Sequence, residues 1–326
     1  MVPLDLSALA VGDPVQHPLL VLERTQKTTK AGDPFLTLTL GNATGRIEVE
    51  PIWSDRLDFA AGADKGCVVQ AIGDVGIYER TGARQLKLRS PLRLLPDERA
   101  EEFLPRIADD PAKLWAWLDR TRNEVESGTL RGVLDLFFAD EDFRYRFERT
   151  PGSVQGHHAR LGGLLLHVYE VTHIARQTAR TMRADVDLVV AGALLHDVGK
   201  VEAYEIASGV FAHTSCGLLL GHVTLGLLML DRRHRACSTA PCTDGQLLDL
   251  QHMILAHHGK LEFGSPVEPM TAEAEIVHWA DEASAKANDM LESIASDEGF
   301  ADGAEFSSRR LWRVNRRVWR RPHGWE

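Results

Sequence analysis

Five short motifs bearing histidine or aspartate lie in, or at the ends of, separate apolar helical stretches in the second half of the chain. They are Gly163-Leu164-Leu165-Leu166-His167, His196-Asp197-Val198-Gly199-Lys200, Gly221-His222, His257-His258-Gly259 and His278-Trp279-Ala280-Asp281. A polar group on a buried helix face is costly unless it is paired or binds a ligand. A chain with this pattern must therefore fold so that these side chains meet. Imidazoles and carboxylates converging from several helices suit a divalent transition metal. Any one of these residues alone reads more simply as a core or surface side chain; the ordered set carries the metal reading.

The rest of the chain changes character twice. Residues 14–95 read as β: LLVLERTQ, FLTLTL, RIEVE, CVVQAI and QLKLRS show period-two alternation or short apolar runs. Turns separate them at Lys30-Ala31-Gly32-Asp33-Pro34, Gly41-Asn42-Ala43-Thr44-Gly45 and Glu79-Arg80-Thr81-Gly82-Ala83. Five short strands with such turns predict a small closed barrel. From Asp97 the period becomes helical, with Asp110 before Pro111 as a helix start. Apolar helices are expected near 161–183, 186–198, 222–232, 244–258 and 272–295, with a short hairpin over 204–214. The expected organisation is a multi-domain α+β chain. A β-barrel occupies 1–96, a helical linker 97–156, an all-α metal-binding domain 157–298 and an Arg/Trp-rich tail 299–326. From Phe306 that tail holds seven arginines and Trp312, Trp319 and Trp325 against the single acid Glu326.

Composition narrows the function classes. A net charge of −10 argues against a protein coated in nucleic acid, although a local basic patch stays open. Residues 14–95 carry 11 Lys+Arg against 9 Asp+Glu, a small positive balance in an acidic chain. Cys67, Cys216, Cys237 and Cys242 form no C-x-x-C pair and read as reduced thiols. The N-terminus lacks a basic start and is broken by Asp5 and Asp13, so no signal peptide is expected. The most apolar segment, 217–230, is interrupted by His222 and Thr224 and is too short to span a bilayer. A cytoplasmic protein that does not enter the membrane is expected.

The motif set over about 157–290 resembles the HD superfamily of metal-dependent phosphohydrolases, named for its His-Asp pair. The resemblance implies that His167, His196, Asp197 and Asp281 form the basic metal site. It also implies that His222, His257 and His258 are the added ligands of two-metal members, in which the Asp of the pair bridges the ions. Minimal one-metal members do not need those three histidines, so their presence favours a dinuclear centre. Two ions about 3.5–4 Å apart can activate a water and stabilise the attacking and leaving oxygens of a phosphodiester. Asp197 and Lys200 are the catalytic candidates. Lys200 lies three residues from Asp197 and could face a phosphoryl oxygen, or simply end the helix at the surface.

A narrower resemblance spans nearly the whole chain. KTTKAGDPFLTLTLGNATGRIEVEPIW, HHARLGGLLLHV, GLLLGHV, AHHGKLEFGSPVEPMTAEAEIVHWADEASAKAND and FSSRRLWRVNRRVWRRP resemble, in order, YhaM-type 3′→5′ exoribonucleases, in which an OB-fold precedes the HD domain. Leu166 stands where that family often has Glu, and Ser284 where a second Asp commonly follows the last ligand. The resemblance implies a metal-dependent 3′→5′ exonuclease acting on single-stranded RNA, with single-stranded DNA left open, and releasing nucleoside 5′-monophosphates. Two divalent ions are expected, manganese first, with iron, cobalt and nickel open.

On the barrel, Phe35, Trp53 and Tyr78 are candidates for base stacking, and Lys27, Lys30, Arg46, Arg84 and Lys87 for phosphate contact. Each aromatic could instead be barrel core. His157 and His158, which open HHARLGGLLLHV, are further substrate candidates. Assembly into a homo-oligomer stays open. Two other readings remain: an HD-type nucleotide or cyclic-nucleotide phosphohydrolase whose barrel serves assembly, and an inactive nucleic-acid-binding protein.

Overall fold

The computed structural model describes residues 4–29, 31–79, 83–207, 209–296, 299–300 and 303–325. The chain divides into two compact units, one of residues up to 106 with 206–212, the other of 107–205 with the residues from 213.

Among the described residues, seven strands form one sheet in the first unit. They are β1 (Pro14–Thr28), β2 (Pro34–Asn42), β3 (Gly45–Val49), β4 (Ile52–Trp53), β5 (Val68–Tyr78), β6 (Ala83–Leu88) and β7 (Arg93–Leu94). β1 is long enough to close the barrel by itself. It pairs with β5 through Pro14–Leu20 and with β2 through Leu20–Thr28, shifting register between Val21 and Glu23. Such a shift bends a strand and lets it serve two neighbours. The order β1-β2-β3-β6-β5 then returns to β1, with β3 and β6 parallel and the other pairs antiparallel. This is the expected five-stranded barrel, with the strand order of an OB-fold. Alternation fills it: Leu36, Leu38 and Leu40 are buried while Thr37 and Thr39 remain partly exposed. β4 and β7 have two residues each, too few for alternation to register in the sequence.

The second unit is helical: α1 (Pro111–Asn123), α2 (Gly128–Phe138), α3 (Glu141–Arg149), α4 (Gly163–Met182), α5 (Val186–Leu195), α6 (Lys200–Ala203), α7 (Ser215–Arg235), α8 (Asp244–Ala256) and α9 (Ala272–Ala295). The strands β8 (Tyr204–Ala207) and β9 (Val210–His213) form the hairpin between α6 and α7. Side-chain caps start most of these helices: Asp110, Ser127, Asp140, Asp185, Thr214, Thr243 and Thr271 each accept a backbone N–H of the first turn.

Helices α1–α3 fall within the stretch read from sequence as a helical linker. They bury Trp115, Phe137, Phe143 and Phe147 in the same core as Leu164, Leu195 and Val277. α7 begins earlier than the periodicity predicts. Thr214 caps it, and Gly221, at φ 72°, kinks it just before His222. Leu218 and Leu219 ahead of the kink are exposed, so this first turn has no apolar stripe to reveal it. Within the tail, Phe306 bridges to Trp319 and Leu311 to Arg316, and Arg313 pairs with Asp289 and Glu292 of α9. Among the described residues no helix is long and apolar enough to cross a membrane.

Candidate metal centre

The centre is built around the end of α5. Every residue from Val189 to Leu195 is buried, so α5 runs through the core and its last turn delivers His196 and Asp197 there. α4 supplies His167 at the start of its second turn, α7 supplies His222 just past the Gly221 kink, α8 ends at His257 and His258, and α9 supplies Asp281. The structure brings all seven sequence-predicted ligands together, in two groups. His167, His196 and Asp281 place ligand atoms within 4.8 Å of one another, and so do His222, His257 and His258.

Asp197 lies between the groups, with one oxygen toward each. Its Oδ2 is 3.3 Å from His167 Nε2 and 3.2 Å from His196 Nε2. Its Oδ1 is 3.4 Å from His222 Nε2 and 3.6 Å from His257 Nε2. Asp281 Oδ1 closes the first group at 3.0 Å from His167 Nε2.

The outer nitrogens set which inner nitrogen can coordinate. Nδ1–H of His196 donates to the Ala193 carbonyl at 2.7 Å, that of His257 to the Ile254 carbonyl at 2.7 Å, and that of His258 to the Phe263 carbonyl at 2.9 Å. A carbonyl only accepts, so each Nδ1 must carry the proton and each Nε2 lone pair faces the centre.

The electrostatics agree. Burial drives His257 well below its ordinary value, and neighbouring His258 and His196 add to this. Burial likewise lowers His222 to about 3. Burial would raise the Asp197 carboxyl, but the Lys200 ammonium and His196 outweigh it and hold it far below the usual range. Burial opposes a proton on His167 as well, yet the hydrogen bonds with Asp197 and Asp281 outweigh it. Ionised carboxylates and mostly neutral imidazoles are what a divalent cation requires. Asp197 Oδ1 and His257 Nε2 are buried with no hydrogen-bond partner among the described residues. Polar atoms left in that state call for an ion or a water. The residues fit divalent metal ions, which the two groups, with Asp197 between them, would hold.

Residues 164–286 match the HD domain family. Over 288 residues the chain is 32% identical to the 3′-5′ exoribonuclease YhaM of Bacillus subtilis strain 168, covering 86% of this chain and 87% of that protein. The chain belongs to the YhaM family. The YhaM protein of Bacillus licheniformis is 31% identical over 284 residues, covering 86% of this chain and 87% of that one. That of Oceanobacillus iheyensis is 28% identical over 319 residues, covering 96% and 95%. No solved structure matches the chain at the same level.

The remaining site candidates of this YhaM-family chain fall into distinct surroundings. Lys200 is buried, its Nζ 2.5 Å from Asp197 Oδ2, so its charge faces the centre instead of ending a helix in solvent. His157 packs against the His167 ring at 5.2 Å, with its Nε2 buried and unpartnered among the described residues. Burial, then His167 and Lys200, push it down to about 2, so it is a neutral imidazole beside the first group. His158 is fully buried, with Nε2 3.0 Å from Glu170 Oε2.

On the barrel, Phe35 and Trp53 are paired across β2 and β4 with ring centres 5.0 Å apart. Trp53 is half exposed and lines a cavity of about 230 Å³ with Arg56 and Phe59. Tyr78, Lys27 and Arg46 are exposed. Lys87 is 4.0 Å from Glu50, and Arg84 donates to the Ser7 and Leu9 carbonyls. Lys30 lies outside the described residues.

Glu170 escapes the motif reading, and Ser284 enters it only as a departure from the family's second Asp. They lie one helical turn beyond a ligand, three residues after His167 and Asp281, and they touch each other. A polar residue at i+3 from a ligand on the same helix is the signal that would have found them.

Proposed function

We propose that this chain is a metal-dependent 3′→5′ exonuclease of single-stranded RNA that releases nucleoside 5′-monophosphates. The observation that carries the reading is the division of Asp197, whose two oxygens face two separate ligand groups. The curated relatives named 3′-5′ exoribonuclease over most of the chain's length support the substrate and polarity. Two divalent ions are proposed, manganese first: one held by His167, His196 and Asp281, the other by His222, His257 and His258, with Asp197 between. When bound, they would acidify a water for attack on phosphorus and hold the phosphate's charge.

The chain's own residues prepare that step. Asp197 stays ionised because Lys200 and His196 hold its proton off. Lys200 directs its ammonium into the centre, where it can neutralise a phosphoryl oxygen. His157, a neutral imidazole packed against the His167 ring, is the proposed substrate neighbour of the first group. Phe35, Trp53 and Tyr78 would stack bases upstream while the 3′ end reaches the centre. Four unpaired cysteines suit a reducing cytoplasm.

The test is a 5′-labelled oligoribonucleotide incubated with the protein and Mn²⁺, beside a circular RNA of the same sequence. A descending ladder from the linear strand, an intact circle, and loss of both ions and of activity in Asp197→Ala are expected. Efficient cutting of the circle would mean internal cleavage and would defeat the exonuclease reading.

A further inference from the structure

His167 is the exception among the ligands whose Nδ1 contacts are described. His196, His257 and His258 give their Nδ1–H to backbone carbonyls, which can only accept. His167 Nδ1 instead meets the Ser284 hydroxyl at 3.0 Å. A hydroxyl both donates and accepts, so it does not by itself decide which imidazole nitrogen holds the proton. If Ser284 donated to Nδ1, the proton would sit on Nε2 and block coordination.

A second contact resolves this. Ser284 Oγ lies 2.6 Å from Glu170 Oε2, and a carboxylate accepts only. The hydroxyl proton must therefore go to Glu170, which leaves the Ser284 lone pair to accept from His167 Nδ1–H. Glu170 is held in turn by His158, whose Nε2 is 3.0 Å from the same oxygen, and the His158 backbone N–H donates to Asn288 Oδ1 at 3.1 Å. Burial would raise the Glu170 carboxyl, but the contacts with His158 and Ser284 outweigh it and keep it ionised.

We propose that Glu170, acting through the Ser284 hydroxyl, is the positioning residue that keeps His167 Nδ1 protonated and so makes Nε2, which faces Asp197 and Asp281, the nitrogen presented to the metal. The inference rests on the metal-centre reading above. It also gives His158 a role in holding Glu170, away from substrate. Partners behind metal-bound histidines are worth about 10–100-fold in affinity.

The experiment titrates Mn²⁺ into the full-length protein by calorimetry. It also follows the His167 Nδ1–H proton by NMR in histidine-labelled, metal-free protein. Glu170→Ala and Ser284→Ala should each weaken one of the two ions by about 10–100-fold and abolish the protected Nδ1–H signal. The double variant should be no worse than either single one, because the two residues act in series. Glu170→Gln, whose carbonyl oxygen still accepts from Ser284, should lose less. Ser284→Asp combined with Glu170→Ala puts a carboxylate directly at Nδ1 and should restore affinity, which a merely structural defect would not allow. Wild-type affinity and an unchanged Nδ1–H signal in Glu170→Ala would overturn the proposal, as would additive losses in the double variant. If the unmodified protein bound no Mn²⁺, the metal-centre reading would fail, and the Nδ1–H signal would still decide whether Glu170 orders His167.

Discussion

Gly199 is the residue whose side chain must be absent for the second ligand group to form. A Cβ there would lie 2.0 Å from the His222 carbonyl oxygen and 2.3 Å from the Gly226 nitrogen, both backbone atoms of α7. Its φ of −67° suits any residue, so Gly199→Ala tests this close approach and nothing else. Real Cβ atoms essentially never come within 3.0 Å of such atoms, so α7 has to retreat by about 1 Å. His222 Nε2, now 3.4 Å from Asp197 Oδ1, moves with it. Metal sites tolerate about 0.2 Å in ligand distance. The variant should therefore keep the ion of His167, His196 and Asp281 and lose the one that needs His222. Overpacking of this kind costs about 1–3 kcal/mol, and each kcal/mol lowers Tm by about 2–4 °C in a unit of this size. Misplacing a reacting group by about 1 Å costs about 10²-fold in rate. Metal content per chain, Tm and kcat on an oligoribonucleotide read these effects separately. Gly226→Ala is the control: its Cβ would meet the Ile254 methyl at 3.3 Å and the Gly199 backbone no closer than 3.4 Å, an ordinary contact, so both ions should stay. A Gly199→Ala protein with both ions, wild-type Tm and full activity would refute the argument.

Lys200→Ala should lower kcat by about 10²–10³-fold with metal content unchanged, the usual loss for one electrostatic contact made in the transition state; unchanged kcat would remove Lys200 from the chemistry. Trp53→Ala should weaken binding of a long single strand by about 1–3 kcal/mol, read by fluorescence anisotropy, while hydrolysis of a short activated phosphodiester stays intact; equal losses on both substrates would mean that Trp53 acts on folding. Asp140→Ala removes the cap on the Asp142 and Phe143 N–H groups and should cost about 1 kcal/mol at pH 7. The Phe143 N–H, opposed in part by burial and helped by Arg233, holds the Asp140 carboxyl below its ordinary 3.8. Its folded value is depressed, so its contribution is present above about pH 3.8 and is lost as pH falls further. The Tm gap between Asp140→Ala and the parent should accordingly close on acidification.

Most of the metal centre could be read from residue order because each ligand sits in a motif with its own signal. His196-Asp197 ends an apolar run, His257-His258 ends another, and Asp281 lies on a strongly periodic helix. The barrel was readable for a similar reason: β2 alternates cleanly and its turns are rich in glycine. Contacts between elements distant in sequence were not readable. Nothing near Ser284 announces that its hydroxyl meets Glu170, 114 residues away, or that Gly199 lies against the backbone of α7. The exposed start of α7 is not legible in the sequence because its leucines face solvent, and periodicity reports only faces that are buried. Arg84 is a candidate phosphate contact by residue type, and the sequence does not show that its guanidinium also donates to the carbonyls of Ser7 and Leu9.

The chain's net charge of −10 and its proposed polyanionic substrate are compatible because attraction here is local. The centre offers two carboxylates and five imidazoles, and two carboxylates cancel only half the charge of two divalent ions. Lys200, buried against Asp197, adds a further positive charge. A loaded centre is therefore strongly cationic and largely withdrawn from solvent, where screening is weak. An anionic phosphodiester and a deprotonated water are the species that complete its charge balance. The surface charge of the protein, screened within about 8 Å at physiological salt, has little bearing on that site. It does limit what else the protein can hold. Tight binding of nucleic acid needs many phosphate contacts, and the barrel, with 11 Lys+Arg against 9 Asp+Glu, offers few. On the proposed reading, stacking on Trp53 and Phe35 would supply the larger share of the grip upstream, and stacking tolerates any base. Such a grip would let a strand slip forward after each cut, because no base-specific contact would have to be broken.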